Sequence, residues 1–164
     1  MACNGNDYVS NFRDGTLYLL DGAGASLAIP LEMGDVAISG LSGDMREVAV
    51  YRSRGRTVAV RTTNDLNPTI AFSAMLNRLS SVTNNVVADF IRFTGKYATN
   101  VRTSGICGDA KTLDAKWVIA TPDGNETITV RDVLFTFDLS EGDPSSISLS
   151  GTIYNNDVTI IGAT

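Results

Sequence analysis

Turn-forming residues break this chain at short intervals, and between the breaks apolar side chains recur at every second position. That pattern constrains the fold more than any single motif, because period-two alternation makes a strand with one dry face and one wet face. Leu17 and Leu19 alternate with Thr16 and Tyr18, and the Asp21-Gly22-Ala23-Gly24 loop then turns the chain. Leu27, Ile29 and Leu31 point one way along residues 27–33, where Pro30 marks an edge or an irregularity. Val36 and Ile38 continue the pattern to a break at Gly40. A strand over residues 68–79 follows with Ile70 and Phe72 before Met75 and Leu76 blur the period.

The clearest alternation lies in three hairpins. Over residues 47–63, Val48 and Val50 on one arm match Val58 and Val60 on the other, around Arg52-Ser53-Arg54-Gly55-Arg56. Such a pattern predicts one buried face and one wet face. Residues 116–121 and 127–139 flank the loop Pro122-Asp123-Gly124-Asn125. Along the second of these arms the apolar parity changes, from even at Ile128 and Val130 to odd at Val133, Phe135, Phe137 and Leu139. One inserted residue near Asp132 accounts for the change, which predicts a β-bulge there. A last pair, residues 146–153 and 158–161, is joined through Asn155-Asn156.

One segment breaks the period. Val86, Val87, Phe90 and Ile91 make a single apolar stripe on a helix over 85–93, with Asn84 or Asn85 available as its cap and Gly95 as its stop. A helix this short is not stable alone in water, so the stripe must dock on a sheet. The fold class that follows is mainly β: a sandwich or barrel of about eight to ten strands with one short flanking α-helix. Residues 1–164 read as a single domain without internal repeats.

Composition bounds what such a domain does. With 43% hydrophobic and 19% charged residues the chain has the makings of a core, and a net charge of −5 disfavours tight binding of a phosphate backbone. No apolar run approaches the length of a membrane span, and the first eight residues lack the basic start and apolar stretch of a signal peptide. The expectation is a protein folded in a cytoplasm, off the membrane, with Cys3 and Cys107 as unpaired thiols. The sequence contains no histidine, which removes the Ser-His-Asp and Cys-His systems and the usual zinc sites. Carboxylate pairs need no histidine. The nearest candidates, Asp109 with Asp114 and Glu141 with Asp143, read as residues of solvated loops. Gly22 to Leu27 superficially follows a dinucleotide loop, but a leucine stands where the third glycine belongs and a strand follows, so it reads as a hairpin turn. The expectation is therefore no catalysis, no metal and no cofactor. Arg52, Arg54 and Arg56, around Gly55, form a basic tip on an acidic chain. They read either as a solvated turn or as a contact with an acidic patch on a neighbouring copy.

The order of segments resembles the bacteriophage tail tube (major tail) proteins. The likeness lies in Asp14-Gly15-Thr16-Leu17 with Leu20-Asp21, in Glu32-Met33-Gly34-Asp35, in residues 51–56 and in Ile70-Ala71-Phe72-Ser73-Ala74. It continues through residues 135–138, Ser140-Glu141-Gly142-Asp143 and Gly151-Thr152-Ile153-Tyr154. The resemblance implies a β-sandwich with a flanking helix that forms hexameric rings, stacked into a tube and joined by loops and termini. It implies a structural protein of the virion tail, assembled in the host bacterial cytoplasm and in contact with other tail proteins. Double-stranded DNA would pass the lumen, commonly acidic in this family, without tight binding. The competing expectations are a head–tail completion or capsid decoration protein, or a carbohydrate-binding β-sandwich. Against the last, Trp117 is the sole tryptophan and the five tyrosines are scattered.

Overall fold

The computed structural model describes residues 15–29, 36–43, 46–100, 110–121, 124–154 and 158–162. Ten strands form from the alternating segments: β1 (Gly15–Leu20), β2 (Ser26–Ala28), β3 (Ala37–Ser39), β4 (Arg46–Ser53), β5 (Arg56–Asp65), β6 (Thr69–Met75), β7 (Leu113–Thr121), β8 (Gly124–Ser140), β9 (Ser146–Ile153) and β10 (Val158–Ile161). Between β6 and β7 lie the helix α1 (Val87–Arg92) and a 3₁₀ turn, Gly95–Tyr97. The mainly β class with one short helix is what the alternation predicted. No helix among the described residues is long and apolar enough to cross a membrane.

Seven strands run in the order β2-β1-β7-β8-β9-β6-β3, all pairs antiparallel, and β10 takes the other edge of the first half of β8. One face of this sheet carries the alternating apolar set: Leu17 and Leu19, Ile70 and Phe72, Trp117 and Ile119, Val133 and Phe135, Ile147 and Leu149 are all buried in one core. Phe72 and Phe135 meet edge to face, with centroids 6.0 Å apart. Gly151 faces the core opposite Phe135, and a Cβ there would lie 2.4 Å from Val133 Cγ1. The two large side chains occupy the space that any other residue would need.

The bulge predicted near Asp132 is present. Leu113 pairs with Val133 but Ala115 pairs with Val130, so β8 holds one residue more than β7 across the interval. Asp132 takes φ 54°, and its N–H, lost to the ladder, donates to Asp114 Oδ1 at 3.0 Å. Thr112 Oγ1 donates to the buried Asp132 carboxylate at 3.3 Å. Asp114, considered above as half of a carboxylate pair, thus has a structural task. Asp109, Cys3, Cys107 and Pro30 lie outside the described residues.

The helix is shorter than the sequence predicts and is capped differently. Its N-cap is Val86, without a side-chain cap, because Asn85 Oδ1 instead accepts from Lys96 Nζ (2.7 Å) and the Tyr97 hydroxyl (2.8 Å). Its end falls at Phe93, which takes φ 55°, two residues before Gly95. The stripe itself docks as expected: Val86, Phe90 and Ile91 are buried and Val87 is half-buried against the core. Phe90 stacks edge to face on Tyr97 at 4.8 Å.

Candidate assembly surfaces

β4 and β5 pair only with each other, apart from the main sheet. The turn Ser53-Arg54-Gly55-Arg56 has positive φ at both central residues, 48° at Arg54 and 81° at Gly55, as primed hairpin turns require. Val50 lies opposite Val60, and Val48 lies opposite Thr62. Here the structure corrects the sequence. The valines share a face, but that face is not buried: Val48, Val50, Val58 and Val60 are 48–66% exposed, and no residue of either strand belongs to the core. The physical reason is placement, since the hairpin stands off the sheet that would have covered it. We call it the arm, and the rest the body.

The other face of the arm mixes Ala49, Tyr51 and Ala59 with Arg61 and Thr63. Arg61 lies over the Tyr51 ring at 5.9 Å. Arg46 Nε pairs with Asp65 Oδ1 at 3.4 Å at the base, and Asn64 Nδ2 donates to Glu47 Oε2 at 3.0 Å. At the tip, Arg52, Arg54 and Arg56 are exposed, and among the described residues none has a carboxylate partner.

The outward face of β3, β6, β9 and the second half of β8 is a second unusual surface. Thr69, Ser73, Ser148, Ser150, Thr152, Thr136 and Ser140 stand there beside Ala37 and Ala71, and Asp138 is the one charge among these outward positions. Hydroxyls pair across strands, Ser73 with Ser148 at 3.1 Å and Thr136 with Ser150 at 2.9 Å. Short hydroxyl side chains dominate this face beside Leu134 and Met75, and among its described residues there is no cation. It was legible in the sequence, as the polar parity of residues 146, 148, 150 and 152, but only the register brings four strands of it together.

Asp89 is the residue that sequence reasoning missed. It sits 1% exposed on the helix and accepts from Ser81 N–H (2.7 Å), the Ser80 hydroxyl (2.9 Å) and the Thr94 hydroxyl (2.9 Å). Burial alone would push its carboxyl up. The hydrogen bonds from Ser81, Thr94 and Ser80 and the charge of Arg92 outweigh burial and hold it below the usual carboxylate value. Burial and the Asp89 charge push the Tyr97 hydroxyl up. The arrangement is a latch that ties the chain before the helix, and the 3₁₀ turn after it, to the helix itself. A lone acid inside an apolar stripe, flanked by Ser80-Ser81 and Thr94, was the available signal.

Between β2, the end of β6 and the helix lies a hollow of about 350 Å³, floored by Leu27, Val86 and Ile147 and rimmed by Asn77, Arg78 and Asn85. Glu141 and Asp143 are exposed in the turn between β8 and β9, as their loop reading predicted. Among the described residues no three His, Cys, Asp or Glu side chains converge as metal ligands do. The class that fold and surfaces define is a β-sheet body with an outstanding hairpin arm. No family model matches the chain, and no curated protein is significantly similar to it.

Proposed function

We propose that this protein is a non-enzymatic subunit of a bacteriophage tail tube, which assembles through its arm into stacked six-membered rings. The observation that carries the reading is the arm itself. A monomer gains nothing from eight- and ten-residue strands that hold four valines in water, because an uncovered β-hairpin is marginally stable and a hydrophobic patch on it invites association. In an assembly the same face becomes an interface core. The order of segments, which resembles tail tube proteins over most of the chain, supplies the kind of assembly.

The hydroxyl face suits the wall of such a conduit. Phosphate backbones are held by Lys and Arg through counterion release, and a face without them lets DNA pass without tight binding. The subunit would be made in the bacterial cytoplasm, end its life in the virion tail, and meet other tail proteins at the two ends of the tube. Negative-stain electron microscopy of the purified protein tests the reading. Rings or tubes of uniform diameter are expected, and a monodisperse monomer at high concentration would sink it.

A further inference from the structure

Charge is divided unevenly between arm and body. Residues 46–65 hold five arginines against Glu47 and Asp65, a net +3, which leaves −8 on the rest of a chain whose total is −5. Three of those arginines stand unpaired at the tip. Three exposed carboxylates stand unpaired elsewhere among the described residues: Asp138, Glu141 and Asp143, all at the end of β8 and in the turn before β9. Leu139, next to Asp138 but on the opposite face of β8, is 48% exposed, so the end of β8 carries an acid on one side and an apolar side chain on the other.

We infer that the arm of one copy docks on the β8–β9 turn of a second copy. Arg52, Arg54 and Arg56 pair there with Glu141 and Asp143 of the turn, Asp138 adds its charge from the opposite face of β8, and Val50, Val58 and Val60 close over Leu139. This rests on the assembly reading above and deepens it by naming the receiving surface. Like charges at alternate positions of one tip repel, and so do like charges crowded at one turn; bringing the two together relieves both. The planar guanidinium fork suits carboxylates, and excluding water behind the valines strengthens each pair. The occupant is a second copy and not nucleic acid, because a phosphate backbone offers the arginines a partner but leaves the valines uncovered. The contact is heterologous, since arm and turn are different surfaces, so it propagates from copy to copy into a ring or filament.

The test is charge reversal in the full chain. One variant carries Arg52→Glu, Arg54→Glu and Arg56→Glu; another carries Asp138→Arg, Glu141→Arg and Asp143→Arg; a third carries all six. Sedimentation velocity and electron microscopy should find the first two monomeric, with circular dichroism unchanged, and the third assembled again. Either single set assembling like the wild type, or the sixfold reversal staying monomeric while folded, would overturn the docking. Should a reversed turn fail to fold, Thr57→Cys and Ser140→Cys, each in a chain whose Cys3 and Cys107 are replaced by serine, provide the second measurement. Mixed and oxidised, they should give a disulfide-linked dimer that neither gives alone; no such dimer counts against the contact. Duplex DNA retarded by the wild type and not by the tip variant, with assembly intact in both, would assign the tip to nucleic acid and overturn the proposal. The two readings also fail differently. Tubes formed by every variant sink the contact and leave the tube, whereas reversal-sensitive association without rings or tubes sinks the tube and leaves the contact.

Discussion

The arm and the β8–β9 hairpin begin from the same kind of sequence and end differently. Both alternate apolar and polar residues, and both pair antiparallel. In the body, Val133, Ile147, Leu149 and Ile153 are buried, while Ser and Thr point outward. In the arm the corresponding valines face water. The difference is not in the strands. Strand β9 lies between β8 and β6 in a sheet whose inner face the helix and β1 help to cover, whereas β4 and β5 have only each other. Alternation therefore specifies that a face must be covered, and leaves open whether the same chain covers it.

Substitutions can break or sharpen this contrast. The largest effect belongs where the body closes over the helix: Phe90→Ala should cost about 3–5 kcal/mol, read as a shift of the urea midpoint. An unchanged midpoint would mean that the helix is not needed to cover the sheet. Gly151→Ala comes next, at about 1–3 kcal/mol, because its methyl meets Val133 and Phe135 with no room to yield. Full stability in that variant would show the body to be loosely packed, and the contrast with the arm would weaken.

Asp89→Asn should cost about 1–3 kcal/mol by giving up a charged acceptor for three donors. It also carries a pH signature. The folded carboxyl lies below its unfolded value, so its stabilisation is complete above the ordinary carboxylate pKa and is lost as pH falls through the folded value. The wild type should lose more stability than Asp89→Asn between neutrality and pH about 3, and parallel thermal-melting curves would reject the latch. The smallest effect is the most telling. Val60→Thr in the arm should change the stability of the dilute monomer by less than about 0.5 kcal/mol. A loss comparable to that of a core valine would mean that the monomer already covers this face.

Most elements were legible in the sequence because they are local. The strands follow from a two-residue period, and the bulge at Asp132 from a change of parity between Val130 and Val133. The docking stripe Val86, Val87, Phe90 and Ile91 follows from helical spacing. The turn at Arg54-Gly55 lies within the residues 52–56 that the matching valines bracket, but a register shift between Tyr51 and Arg52 sets its position and type. The helix ends were misjudged for a physical reason. Asn85 had a capping alternative, and Lys96 with Tyr97, more than ten residues on, claimed its side chain.

What the sequence by itself determined was a mainly β chain, its punctuation, and which side of each strand must be dry. The tertiary structure decided which of those sides found a cover within the chain. It set Ser73 against Ser148 across 75 residues, turned Asp89 into a latch, and left the arm's valines in water. Periodicity is a property of neighbours, written every two residues. Burial is a property of partners, and partners are fixed only when distant segments pack.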